Sequence, residues 1–459
     1  MSFASQRVRY RITHLPFVLA AAACTAYAPD PPDLEAHLAA FRERARTAPE
    51  SSAPRAFDLA DGIDADEAEL LALTFNRDLR RARLAAKVTL ATAENAGRFS
   101  DPTLGVDLAR ILQSTPEPWK AFGSLGITLP LSGRLELERE RAGLGHAATL
   151  TRVAAQEWST RLTVRRVFAE WEAIATKRAE SAAYAAQIDE VLGVVERMEQ
   201  AGGMPRAEAR LFRIEAANVA ARRAALESNA VQLELELRER MGLHPDAPVA
   251  FVPGHAEPPP APSFDGAAAT AALRRHPEFQ VALAEHASAE KQLELELRRQ
   301  YPDLRIGPGL GREDGEDQVL LGLELPLPFL DGNRRAIAEA FASRDLARAQ
   351  VEMTQEELLV RWRGAEQRLA AARRQHLALA SSILPLVEAQ YADARHLAQL
   401  GEVNTLVLLE SLKRRQDAEL QRIDLLLAEA RAAIDLHELV GCPAEAAATA
   451  ATPPGSAAE

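Results

Sequence analysis

The chain has 459 residues and a formal net charge of −12, and it shows no basic stripe with interleaved aromatics, which excludes a nucleic-acid partner. Hydrophobic residues make up 47% but aromatics only 5%, with Leu, Ala, Glu and Arg dominant, the profile of long helices and coiled coils. Two cysteines, Cys24 and Cys442, no CxxC and unclustered histidines exclude a structural zinc or redox site, and no cofactor is expected.

Arg7, Arg9 and Arg11 followed by a short apolar run from Ile12 to Ala23 read as an export signal over residues 1–23, too short to be a transmembrane helix. Small residues before Cys24 resemble a bacterial lipobox, with Ala21 standing where Leu is usual. Two outcomes stay open at this point, a lipidated Cys24 or ordinary cleavage nearby with Cys24 a bystander. Residues 24–66 form a lead that opens on a Pro-rich extended stretch, with a short amphipathic helix from residue 33 to about 50.

A first repeat is expected over 67–245. Asp64 and Asp66 can cap a helix from about Glu67 to Gly97. A strand follows between Phe99 and Ile111, with Leu104, Val106 and Leu108 alternating against polar or small neighbours. A second, Ser124 to Leu129, alternates Leu125, Ile127 and Leu129 in the same way, and such period-two patterning marks strands with two different environments. Each has the length of a tilted membrane strand. From Leu135 to Ala201 there is no proline, so one helix of ~100 Å at 1.5 Å per residue is expected, with a coiled-coil stripe at Val164, Val167, Trp171 and Ile174 and again at Ile188, Val191, Val195 and Met198. Gly202-Gly203-Met204-Pro205 turns the chain into a second helix ending near Leu243.

After a Pro-rich linker (246–266) the plan recurs over 267–442: a helix interrupted at His276-Pro277, a strand between Tyr301 and Arg312, an acidic loop from Glu313 to Asp317, a strand from Val319 to Leu325, a helix from Asn333 to Leu400, a turn at Gly401, and a last helix with Leu409, Leu412, Leu420 and Ile423 at three-and-four spacing. Residues 443–459 read as a disordered tail.

Four short strands cannot close a membrane barrel, which needs about eight or more, and open edges in lipid leave backbone groups without partners. Several copies, each giving four strands, would solve this. Leu104, Val106, Leu125, Ile127, Leu321 and Leu323 would then face lipid, and Thr103, Asp107, Ser124, Thr128, Arg305 and Glu324 a wet lumen. The alternative is a small soluble β-domain with one buried face. Trp119 fits either an interface anchor or a plain loop aromatic.

These residues resemble the TolC-like outer-membrane efflux proteins, including their lipoprotein subgroup. The resemblance rests on Cys24 with Tyr27-Ala28-Pro29, the two repeats, the strand exits Leu129-Pro130-Leu131-Ser132-Gly133-Arg134 and Leu325-Pro326-Leu327-Pro328-Phe329-Leu330-Asp331, and the segment from Gly401 to Glu410. It implies a mainly α fold with a small β part, in which a homotrimer builds an α-helical tunnel topped by a 12-stranded membrane β-barrel in the outer membrane of a Gram-negative bacterium. It also implies a passive, non-enzymatic duct for small molecules or metal ions, partnered by a periplasmic adaptor and an inner-membrane transporter of the resistance-nodulation-division (RND) class. The strand exits resemble the heavy-metal branch. Gly203, Gly401 and Asn404 would lie at the periplasmic tip, where glycine permits a positive φ or simply ends a helix. Glu410 would belong to an acidic aperture ring or to a solvated helix face; Val407 stands where a second acidic residue is common. The alternative function is a periplasmic coiled-coil adaptor or scaffold.

Overall fold

The computed structural model describes residues 27–46, 61–110, 112, 119–253, 266–313, 316–400 and 405–440. Ten helices and one sheet account for these residues. In chain order they are α1 (Leu34–Glu43), α2 (Ala65–Phe75), α3 (Arg77–Asn95), β1 (Thr103–Arg110), β2 (Trp119–Leu129), α4 (Arg134–Gln200), α5 (Arg206–Met241), α6 (Gly266–Leu273), α7 (Pro277–Arg298), β3 (Leu304–Glu313), β4 (Glu316–Glu324), α8 (Arg334–Ala378), α9 (Leu384–Gln399) and α10 (Thr405–Val440). The fold is mainly α with one four-stranded sheet, and the helix–two strands–long hairpin order occurs twice.

The expected helix from Glu67 to Gly97 is in fact two. Asp64 starts α2 with a reciprocal capping box: its Oδ1 accepts from Glu67 N–H at 2.9 Å, and Glu67 Oε2 accepts from Asp64 N–H at 3.1 Å. The break comes at Asn76, whose extended ψ of 129° ends α2. Its Oδ1 accepts from Asp78 N–H and Leu79 N–H to start α3, and its Nδ2 donates to Arg240 O at 2.8 Å. An asparagine that caps forward and bonds sideways is a tertiary joint, which periodicity does not reveal.

α4 is unbroken over 67 residues. Its upper part packs between α3 and α7, with α8 beyond α7; its lower part packs between α5 and α10. Each half is therefore a palisade, ordered α3-α4-α7-α8 beside the sheet and α5-α4-α10-α9 toward the hairpin ends. The stripe at Val164, Val167 and Trp171 is not a coiled-coil seam as expected. It enters a compact cluster with Phe168, Leu71, Leu237, Met241 and Phe251. Phe251 belongs to residues read as linker; Ala247, Val249 and Phe251 are buried, and Ile63 bridges Phe251 in parallel. The second repeat holds a matching cluster around Trp362, Leu369, Phe279 and Leu436. A third, near the hairpin ends, joins Tyr184, Ile188, Val195, Met204 and Phe212 to Leu409 and Leu412.

Ion pairs knit the middle of the palisades. Glu69 is buried and accepts from Arg161 at 3.0 Å and from Arg165. Burial opposes the Arg165 charge, but Glu69 and Asp66 outweigh it and raise the guanidinium pKa. Glu438 binds Arg166, lies 3.8 Å from Arg361, and gives its carbonyl to Trp158 Nε1–H at 3.1 Å, tying α4, α8 and α10.

Candidate membrane sheet and hairpin ends

The sheet order is β1-β2-β3-β4, antiparallel throughout. The strands are longer toward the loops than the sequence suggests for β2 and β4, and β1 is shorter than the stretch from Phe99 to Ile111. Glu313, Glu316 and Asp317, expected in an acidic loop, are strand residues, because Glu313 pairs with Glu316 and Arg312 with Asp317.

Register decides the faces. Leu104 pairs with Leu125, Ile127 with Ile306, Ile306 with Leu323, Pro308 with Leu321, and Leu310 with Val319. Directly paired residues share a face. Leu104, Val106, Leu125, Ile127, Leu321 and Leu323 thus lie on one side, 77%, 66%, 44%, 40%, 67% and 66% exposed. Nothing in the described chain covers this face. At one end it finishes with Arg110 5.5 Å over the exposed Trp119 ring and with Arg312 beside Asp317. Beyond the other end come exposed Phe99, Tyr301, Leu327 and Phe329.

The opposite face carries Thr103, Asp107, Ser124, Thr128, Arg305 and Glu324, together with Gly105, Gly126, Gly307, Gly309, Gly311 and Gly322. Arg305 Nη2 donates to Thr103 Oγ1 at 2.7 Å, two strands away, and Arg305 Nη1 lies 3.6 Å from Glu324. This crossing needs Gly126: a Cβ there would sit 2.6 Å from Thr103 Oγ1 and 3.0 Å from Arg305 Nε. Lys120 pairs with Glu313 at the far end of the same face. The Phe122 ring occupies the space beside Gly311, where an added Cβ would fall 2.0 Å from Phe122 Cδ1. Among the described residues β1 pairs only with β2 and β4 only with β3, so both outer strands keep a free edge.

At the first hairpin end the turn has a Schellman pattern: Gly203 N–H donates to Met198 O at 2.9 Å and Gly202 N–H to Glu199 O at 3.0 Å. The positive φ, 74°, belongs to Gly202. Gly203, expected to hold it, does not. Glu410 is an exposed residue in the second turn of α10, and its Oε1 accepts from Arg414 Nε–H at 2.8 Å. It carries its own counter-ion. Gly401 and Asn404, like Cys24, Cys442, the tail and most of the linker, lie outside the described residues. Trp158, Trp171 and Trp362 are buried in helix packing.

The sequence did not single out the link between the two hairpins near their ends. Tyr184 of α4 donates to Glu215 of α5 at 3.0 Å, and Lys413 of α10 approaches the same carboxylate at 3.4 Å. Burial, then the Glu215 charge, pushes the Tyr184 hydroxyl pKa up. Three polar residues from three helices give no local signal.

Comparison with protein-family models and with curated proteins finds no match. Comparison with solved structures does. CusC, which forms a transmembrane channel, superposes at TM-score 0.70 with 16% identity over 85% of this chain and 95% of its own. The outer membrane protein VceC of Vibrio cholerae gives 0.70 with 16% identity, over 82% and 96%. The CmeC outer membrane channel of Campylobacter jejuni gives 0.69 with 14% identity, over 91% and 94%. Similarity of this extent over nearly the whole of each chain establishes the architecture: this chain has the fold of the outer-membrane channel proteins.

Proposed function

We propose that this protein is the outer-membrane component of a tripartite efflux system, a passive duct driven by an inner-membrane pump. The carrying observation is the sheet: one face is an apolar band that the described residues leave uncovered and that charge reaches only at its Arg110, Arg312 and Asp317 end, while the other is mainly polar and lined by glycine. In water the apolar face is a liability; in a bilayer it is the outside of a barrel, with an apolar band between aromatic girdles. The free edges of β1 and β4 would otherwise stay unpaired in lipid. Pairing β1 of one copy with β4 of the next satisfies them, and three copies give twelve strands. The helical edges agree. α3 offers exposed Leu84 and Val88, and α8 offers Leu346, Met353 and Val360 at heptad spacing.

In this reading Leu104, Val106, Leu125, Ile127, Leu321 and Leu323 contact lipid. Thr103, Asp107, Ser124, Thr128, Arg305 and Glu324 line the lumen. Cys24 anchors the lead through an acyl chain. Gly203, Gly401 and Asn404 sit at the periplasmic tip, with Glu410 near the aperture, its charge moderated by Arg414. An RND-class transporter and its periplasmic adaptor supply the energy and the docking. A coiled-coil adaptor is disfavoured because two strand pairs, each opening into a hairpin, assemble into one two-faced sheet.

The test is purification and bilayer recording. Expected are extraction only with detergent, a heat-modifiable trimer on gels, and large stable conductance steps in planar membranes. A monomer that stays in solution without detergent overturns the proposal.

A further inference from the structure

The second long helix differs from the first in one respect. Where α4 runs unbroken, α8 and α9 are joined by a π turn at Leu379–Ile383, in which Leu384 N–H donates to Leu379 O, five residues back. Pro385 explains it. Proline has no N–H for the carbonyl four residues earlier, and its ring collides with that group in a regular helix. Such single wide turns insert one residue and recur at working parts of helices.

The inserted residue sets the phase of everything after it. The stripe turned toward the other helices runs Leu369, Ala372, His376, Leu379, then Leu384, Val387, Tyr391, Ala394 and Ala398. Every step is three or four except the five from Leu379 to Leu384. Counted without the wide turn, the stripe would continue through Ile383, Leu386, Gln390, Asp393 and Leu397. All five are exposed in this structure, and Ile383, Leu386 and Leu397 are large aliphatics. α9 thus carries a second stripe one residue away from the first, apolar at both ends and polar in the middle, and the π turn selects which is inside.

We propose that the π turn is a rotation hinge: closing it into regular helix turns α9 by one residue, about 100°, and exchanges the Leu384–Val387–Tyr391–Ala394 stripe for Ile383–Leu386–Gln390–Asp393. The observed register is held by Arg415 of α10, whose Nε donates to Glu388 Oε1 at 2.7 Å while its guanidinium lies 5.0 Å from the centre of the Tyr391 ring. Inward Gln390 and Asp393, and a proline within a regular helix, oppose the alternative. Burial of Ile383, Leu386 and Leu397 favours it. Rotation replaces the Tyr391 ring by the Gln390 amide in the wall of a cavity of about 680 Å³ between α4, α9 and α10. The cavity becomes more polar and loses an aromatic wall. A contact at the hairpin end that favours the polar form of the cavity is therefore coupled to helix rotation. The inference rests on packing within one chain and goes beyond the channel reading, so its test does not depend on conductance.

The test uses the full chain with Cys442→Ser. The pair Glu388→Cys/Arg415→Cys reports the observed register, and Val387→Cys/Arg415→Cys the rotated one. Adding Pro385→Ala should raise the ratio of the second disulfide to the first by about tenfold. Adding Pro385→Ala together with deletion of Ser382 should return the ratio to the parent value, because the deletion makes the step from Leu379 to Leu384 four. As a second readout, thiol labelling at Gln390→Cys should be fast in the parent and slower with Pro385→Ala. An unchanged ratio with unchanged labelling in Pro385→Ala overturns the proposal, as does a rise that survives the deletion.

Discussion

At Gly242 the backbone turns left-handed, φ 70°, and a Cβ would fall 2.1 Å from Phe75 O. Gly202 is as left-handed, φ 74°, but has nothing within 4 Å of its absent Cβ. Alanine at either position meets a left-handed penalty of about 1–2 kcal/mol; only Gly242→Ala adds the collision. Thermal melts should therefore show a clearly larger loss for Gly242→Ala than for Gly202→Ala, and equal losses would refute the close-approach argument. The histidines permit a signed pH prediction. Burial lowers the pKa of His276, whose Nδ1 accepts from Glu278 N–H to cap α7. Burial, then Arg165, lowers that of His437, which packs on Trp158. Both folded values lie below the unfolded one, so this stabilisation is complete above the ordinary histidine range near about 6.5 and is lost as pH falls through the folded values. The melting temperature of the parent should drop more between about pH 7.5 and about pH 5 than that of a His276→Asn/His437→Gln variant.

Among elements, α4 is the longest and the one most readable without coordinates, since no proline interrupts it and its expected and observed ends agree to within one residue. It is not uniformly optimised. Gly143 and Gly145 are helical, with nothing within 4 Å of an added Cβ, so alanine at each should stabilise by roughly 0.5–1 kcal/mol, measured as a rise in denaturation midpoint. A loss would mean that a neighbouring copy uses that space. α2 and α3 were less legible, because Asn76 breaks them by bonding Arg240, which lies 164 residues away in sequence. The π turn was missed for a different reason: Pro385 is visible in sequence, but whether a helix kinks, ends or widens there depends on which stripe the neighbours will bury.

At the scale of the whole molecule, the two faces of the sheet make the sharpest experiment. Leu320 and Leu321 are adjacent and chemically identical, yet Leu320 pairs with Gly309 on the polar face and Leu321 with Pro308 on the apolar one. Arginine on a lipid-facing strand position costs about 2–4 kcal/mol near the bilayer midplane, while the lumen side tolerates it. Leu321→Arg should sharply reduce heat-modifiable trimer in membranes, and Leu320→Arg should leave it near the parent level. Loss in both, or in neither, would refute the assignment of faces. The short-range alternation that marked the faces was fully legible; the acidic loop was not, since Glu313, Glu316 and Asp317 become strand only through their cross-strand partners.

What the sequence alone determined is the duplicated plan, the long proline-free helix and the two-sided strands, because each depends on periodicity or on a residue that stops a regular structure locally. The tertiary structure decided the rest. It drew the supposed linker into a core beside Trp171, moved the positive φ from Gly203 to Gly202, laid Arg305 across Gly126, and chose which stripe of α9 to bury. Each of these is settled by groups far apart in sequence competing for the same space or the same charge, and such competition has no local signature.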